Sequence, residues 1–429
     1  MRLQKIGPMI GCFASSFLMA STTIADVYFG SVSATVVQND NGNKSTDNKI
    51  SELQEQYNLN LGARYENTIG KFEADYGASY RGFSENTQPN KSTLEGHSAL
   101  QLGSQAQIAE LLIEHSRQTL LNKADSLDLT SNQEEREVIT VAPGLNGHVS
   151  PADVIFLKGN FSDIHYLENE LNNSTRKGAT LGVEHQITEI DTLNLSLQST
   201  DVEFKYFPIS NYSLRSAMIN YRAQLRQLSY SLQIGGNQSE TDTGEKYSAP
   251  SYLASLSYKS GVNTFGLNLA QEITDTSFGG GNKNTSEGPN SSDGGIGQSG
   301  QIDRKRADLQ WTTTALCDRC SLNIGMQQTR DQYLFINKDA RELGASLTGS
   351  YTVSNAATLS LRLTGTDYKF PDKTLGENYK LTIAALEYSY RFGRSFNVKA
   401  SYSDEKRVDD DATTGYRAKL IGLSLSYSF

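Results

Sequence analysis

The sequence predicts an all-β fold, a transmembrane antiparallel up-and-down barrel of about twenty strands. Three observations predict it. The chain ends on Ile421-Gly422-Leu423-Ser424-Leu425-Ser426-Tyr427-Ser428-Phe429, where every second side chain is large and apolar and every intervening one is glycine or serine. A period of two is a strand with one apolar and one wet face. The same alternation recurs from Asp26 onward, broken only by turns and polar loops. Finally, no stretch after Ala25 is apolar for about 18 residues, so no helix can span a bilayer. The hydrophobic share of 37% and mean hydropathy of −0.48 fit a barrel, in which only alternate strand residues face lipid.

Residues 1–25 carry the marks of a secretory signal. Arg2 and Lys5 form a positive n-region, Ile6 to Ala20 are mostly apolar, and Thr23-Ile24-Ala25 is a small-residue cleavage site. Pro8 and Ser15-Ser16 interrupt the apolar run, which is too short for a spanning helix. Cys12 raises a lipoprotein as the alternative, but Met9-Ile10-Gly11 fits that signal poorly. The expected organisation is a signal peptide over 1–25 and one barrel over 26–429. The net charge of −9 becomes about −11 without Arg2 and Lys5, which argues against a nucleic-acid partner.

The first hairpin is read as strands at 27–38 and 54–66 around a polar loop at 39–49. In its return strand Tyr57, Leu59, Leu61, Ala63 and Tyr65 share one face, and Asn58, Asn60, Gly62 and Arg64 the other. After a tight turn at 67–70, Phe72, Ala74, Tyr76, Ala78 and Tyr80 alternate with Glu73, Asp75, Gly77, Ser79 and Arg81. The pattern returns in Leu193, Leu195 and Leu197, and in Ala217, Ile219, Tyr221, Ala223 and Leu225 against Asn220, Arg222, Gln224 and Arg226. It continues through Leu228–Ile234-type runs at 228–234, 252–258, 265–269, 309–315, 322–326, 343–351, 359–363, 386–392 and 396–402 to the closing strand. About ten hairpins result, an even strand number as single-chain bacterial barrels have. Residues 106–121 also suit a helix, with Ile108, Leu111, Leu112 and His115 on one side. Alternation of Ala109, Leu111 and Ile113 against Glu110, Glu114 and Ser116 favours the strand. Between Ile383 and Leu386 the apolar parity shifts, which predicts a β-bulge.

The short turns at 67–70, 150–153, 260–263 and 393–395 are expected on the periplasmic side, with both termini, and the long polar loops outside. Tyr65, Phe72, Tyr258, Phe265, Tyr351, Phe392, Phe396, Tyr427 and Phe429 fall mostly beside those turns, where an aromatic girdle belongs. The longest loop, 279–302, is rich in Gly, Ser and Asn and reads either as a flexible surface loop or as a constriction folded into the lumen. With the first strand starting almost at Asp26, no residues are left for an N-terminal plug, which argues against a TonB-dependent receptor.

Cys317 and Cys320 form a C-x-x-C where a short turn joins two strands. Ser321 follows, not His, which excludes the usual haem attachment, and zinc would lack two further ligands. A disulfide across the turn is the expected reading, with a redox role as the alternative. His97, His115, His148, His165 and His185 spread over successive strands and do not converge on a metal, and nothing marks a hydrolase constellation. No cofactor is expected. The candidate lumen residues are Arg64, Glu73, Asp75, Arg81, Glu95, Glu110, Glu114, Glu184, Arg222, Arg226, Arg306, Asp308 and Arg362. They make either an unselective hydrated wall or one that passes a bulky hydrophilic polymer through many weak contacts.

The terminal Phe429 behind Tyr427, Leu425 and Gly422 resembles the closing-strand insertion signal read by the bacterial barrel-assembly machinery. The whole chain resembles the outer-membrane barrels of bacterial exopolysaccharide synthesis and export systems, including those associated with PEP-CTERM sorting. His115-Ser116-Arg117-Gln118, Val141-Ala142-Pro143-Gly144-Leu145, Val149-Ser150-Pro151, Phe161-Ser162-Asp163-Ile164-His165-Tyr166-Leu167 and residues 359–429 carry the likeness. The resemblance implies a non-enzymatic polysaccharide exit channel in the outer membrane, working with periplasmic export proteins. A general or sugar-selective porin, and a non-conducting structural or partner-binding barrel such as a sheath for a periplasmic redox protein, are the alternatives.

Overall fold

A computed structural model describes residues 27–121, 126–168, 170–275, 277, 301–334, 338–370, 378–410 and 415–429. The signal peptide expected over 1–25 and most of the loop at 279–302 lie outside the described residues. Twenty strands follow one another: β1 (Val27–Asn39), β2 (Glu52–Glu66), β3 (Gly70–Phe83), β4 (Lys91–Leu102), β5 (Ala109–Leu121), β6 (Gln133–His148), β7 (Asp153–Tyr166), β8 (Ser174–Thr188), β9 (Asp191–Phe204), β10 (Tyr212–Gln224), β11 (Leu228–Thr241), β12 (Lys246–Ser260), β13 (Asn263–Asp275), β14 (Gln301–Thr313), β15 (Cys320–Tyr333), β16 (Lys338–Ser354), β17 (Ala357–Lys369), β18 (Tyr379–Phe392), β19 (Phe396–Asp409) and β20 (Tyr416–Ser428). Among the described residues the helices are single 3-10 turns, so none builds a plug domain.

Each strand pairs antiparallel with its sequence neighbours, and β1 pairs with β20 from Ser31↔Ser428 to Asn39↔Leu420. Closure is completed by reciprocal bonds, Gly30 N–H to Phe429 O at 3.0 Å and Phe429 N–H to Gly30 O at 2.9 Å. A closed cylinder leaves no unpaired edge, the condition for crossing lipid with strands. The alternating apolar side chains point outward: Ile421, Leu423 and Leu425 are 63%, 60% and 52% exposed. The same holds for Leu61, Leu181, Leu197, Ile234, Leu309 and Leu361, and together they ring the barrel. An apolar surface of this extent is stable against acyl chains and not against water. At the end where the turns are short, Phe265 stacks between Tyr258 (6.5 Å between centroids) and Trp311 (6.1 Å). Tyr427 likewise meets Phe396 at 4.8 Å and Phe429 at 6.0 Å, so part of the expected girdle forms there.

The segment at 106–121 is a strand from Ala109. The bulge expected in β18 is absent: its pairing with β17 and β19 runs without a register shift. The parity changes because Leu381 lies on the inner face, where it packs with Phe370, Tyr379, Tyr368 and Ala340. An inward apolar cluster imitates a shift of register in the sequence. Irregularities occur instead at Gln186/Thr188 and Thr352/Ser354, beside short turns. Cys317 and Cys320 are disulfide-bonded in the turn between β14 and β15, their Cα atoms 5.1 Å apart.

A polar lumen narrowed by an inward-folded arm

The candidate charges follow the pleat. Arg64 (β2), Glu73, Asp75 and Arg81 (β3), Glu95 (β4), Glu110 and Glu114 (β5), Glu184 (β8), Arg222 (β10), Arg306 and Asp308 (β14) and Arg362 (β17) alternate with the belt residues and so take the lumenal face. Arg226 lies instead in the turn between β10 and β11. A cavity of about 950 Å³ against β2–β5 gathers Glu73, Asp75, Arg81, Glu95 and Glu114 with His97. A second, of about 540 Å³ at the turn end, gathers Glu184, Arg222 and Arg226.

Some lumenal charges are neutralised within the wall, among the candidates Glu73, Glu110, Arg306 and Asp308. Lys71 sits 2.9 Å from Glu73, Lys158 is 2.7 Å from Glu110, Arg306 is 2.8 Å from Asp308 and Lys399 is 3.1 Å from Glu387. Between them runs a surface of short neutral side chains. Thr35 donates to Ser424 at 2.9 Å, Asn58 to Ser33 at 2.9 Å and Asn323 to Thr312 at 2.9 Å, while Ser321 and Ser350 are 2.6 Å apart.

The loop end is not a plain cylinder. Pairing of β12 with β13 stops at Tyr252↔Gln271, whereas β13 and β14 stay paired up to Asp275↔Gln301. The upper part of this hairpin, still laddered to β15 through Ile302↔Tyr333, parts from β12 and lays its outer face across the lumenal face of β7–β12. Ser251 donates to the Gln271 carbonyl at 3.2 Å, and Tyr247 to Asp303 at 3.0 Å. Ser239 bonds Gln301. Asp275, fully buried, takes bonds from Arg176 and Tyr212 and from Ser277 Oγ at 2.6 Å. Ser174 donates to Ser277 Oγ at 2.9 Å, and the Tyr166 hydroxyl to the Ser277 carbonyl at 2.9 Å. Ile273 packs on Ala249 and Leu334 beneath this polar seam. A buried carboxylate needs such compensation, and Arg176 and Tyr212 of the wall supply it only while the arm lies inward.

A second segment, between β5 and β6, leans over the mouth from the other side. The Thr130 N–H donates to Gln88 Oε1 at 2.9 Å, and Thr130 Oγ1 to the Pro89 carbonyl at 2.8 Å. Arg407 of β19 donates to the Ser126 carbonyl at 3.0 Å. The opening is therefore narrowed from two sides at the loop end.

Sequence reasoning missed Arg176, Tyr212, Asp275 and Ser277 as constricting residues. A signal existed: after Leu269 the outward parity of β13 passes to Gln271 and Asp275, polar residues that a lipid-facing row would not carry. Among the described residues no group of three or more His, Cys, Asp or Glu is placed to hold a metal. His115 faces outward, bonded to Tyr76 and, at 2.9 Å, to Glu137.

No family model matches the chain, and no curated protein matches it. Solved structures do. The siderophore receptor PirA of Acinetobacter baumannii is 9% identical with a TM-score of 0.55, over 95% of this chain and 81% of that one. An anion-selective porin from Comamonas acidovorans is 13% identical with a TM-score of 0.42, over 95% and 100%. The outer-membrane channel DcaP of A. baumannii is 9% identical with a TM-score of 0.42, over 96% and 99%. These are likenesses of fold. With the closed cylinder, apolar belt and wet lumen, the chain is a multi-pass β-barrel of the Gram-negative outer membrane.

Proposed function

We propose that the chain is a passive diffusion channel for hydrophilic, uncharged solutes of saccharide type, with the short turns and both termini on the periplasmic side. The observation that carries this reading is the pairing of lumenal charges inside the wall, as in Lys158–Glu110 and Arg306–Asp308. Paired charges project little field across a channel and give weak ion selectivity, while Ser, Thr and Asn offer hydroxyl-bearing solutes many weak contacts. The inward arm sets an upper size on what passes. In planar bilayers the purified protein should conduct steadily, with a reversal potential near zero in a potassium chloride gradient. In swelling assays, liposomes carrying it should admit neutral mono- and disaccharides. Strong selectivity for either ion, or exclusion of small neutral sugars, would refute the reading.

Export of a polysaccharide, assisted by periplasmic export proteins, is the second reading, and the hydroxyl-rich wall favours it. It differs in requiring the arm and the segment over β1–β4 to move aside. A barrel silent alone and opened by a periplasmic partner, or loss of surface polysaccharide on deletion of the gene, would replace the first reading with this one. Neither reading assigns the chain any catalysis. In both, Gly422, Leu425, Tyr427 and Phe429 present the closing strand to the barrel-assembly machinery.

A further inference from the structure

The lipid-facing belt has a notch on β8–β11. Three successive cross-strand rows define it. Nearest the turns, Leu195, Ile219 and Ile234 stand side by side. In the next row Leu197 is followed by Ala217 and Gly236, so two adjacent strands lose their bulk. One row further toward the loops come Ser199, Arg215 and Gln238. The result is a groove of about 720 Å³ whose sides are Leu157, Leu181 and Leu197. A Cβ added at Gly236 would meet nothing within 4 Å, so the floor is open space. The groove is continuous with the belt, which places its occupant in the membrane.

Arg215 lines the loop-side rim of the groove and is exposed. It has no hydrogen-bond or ion-pair partner among the described residues. The acidic residues nearest by register, Asp201 and Glu240, lie one row beyond it, opposite Ser213. Glu240 is engaged by Lys246 at 3.3 Å. An unpaired guanidinium above an apolar groove matches a phosphate above an acyl chain, since guanidinium is the side chain best shaped for phosphate oxygens.

We propose that this notch is a binding site for one anionic, phosphate-bearing membrane lipid of the loop-side leaflet, its acyl chain in the groove and its phosphate on Arg215. The site is independent of what crosses the lumen.

The test uses the full chain, delipidated and folded in zwitterionic detergent. It is titrated separately with phosphatidylglycerol and phosphatidylcholine, and bound lipid is counted by native mass spectrometry. The wild type should hold one phosphatidylglycerol per chain and prefer it by roughly fivefold, the factor one interfacial arginine supplies. Arg215→Gln should abolish the preference. Gly236→Leu combined with Ala217→Leu should lose both lipids, and heat-modifiable gel migration verifies that each variant is folded. Equal binding of the two lipids by the wild type overturns the proposal, as does unchanged binding by the filled notch. A Gly236→Cys disulfide joining two chains across the notch also overturns it, because the occupant would then be a second copy.

Discussion

Replacing Asp275 with alanine should release the arm. The carboxylate is fully buried, and its partner Arg176 is 11% exposed. Asp275→Ala removes the buried carboxylate that Arg176 pairs with and strips the bonds from Tyr212 and Ser277. Removing one member of a buried ion pair costs about 3–5 kcal/mol. The cost falls on docking of the arm and not on the cylinder, because Asp275 pairs in the ladder through its backbone. An equilibrium shifted by that amount raises the undocked fraction by roughly a hundredfold to several thousandfold. Single-channel recording in planar bilayers should show larger and more frequent conductance steps than the wild type, and swelling assays should admit larger sugars. Ser239→Ala removes one neutral bond to Gln301, worth about 1 kcal/mol, and should stay close to the wild type. A folded Asp275→Ala channel with the wild-type unit conductance and size limit would refute the idea that the arm sets the opening.

Three further outcomes are expected. Lys158→Met leaves Glu110 unpaired in the lumen and should move the reversal potential toward cation selectivity, measured in a salt gradient. Gly96 has φ +151°, and a Cβ there would lie 2.2 Å from the Asp75 carbonyl, so Gly96→Ala should destabilise the folded barrel by at least about 2 kcal/mol, read from urea unfolding in micelles. Cys317→Ser with Cys320→Ser opens a very short loop, so global stability should fall by no more than about 2 kcal/mol, while proteolysis at the turn between β14 and β15 should quicken.

The cylinder was legible because its rule is local. Each alternation, such as Leu423, Leu425 and Tyr427, announces its own strand, and antiparallel neighbours follow from short turns. The limits of β1 and β2 fall within two residues of those read from the sequence alone. The lumenal face of Glu73, Asp75 and Arg306 follows from the same period. What the pattern could not carry was any contact across the lumen. Arg176 and Asp275 lie 99 residues apart and five strands apart around the wall, and no periodicity links them. Leu381 failed for a related reason: an apolar residue turned inward has the same signature as a strand that has slipped.

The seam between the arm and the opposite wall also fixes an order of events in folding. Its bonds join residues such as Tyr166 and Ser277, 111 positions apart, whereas β13, β14 and β15 pair as neighbours in sequence. Arg176 and Tyr166 come within reach of the arm only once the sheet between them has curved. Docking is therefore a late event, and the cylinder precedes its own narrowing. A protein caught before that step would be inserted, watertight at its ladders and wide open at its mouth, so tight permeability control is acquired only in the final stage of biogenesis.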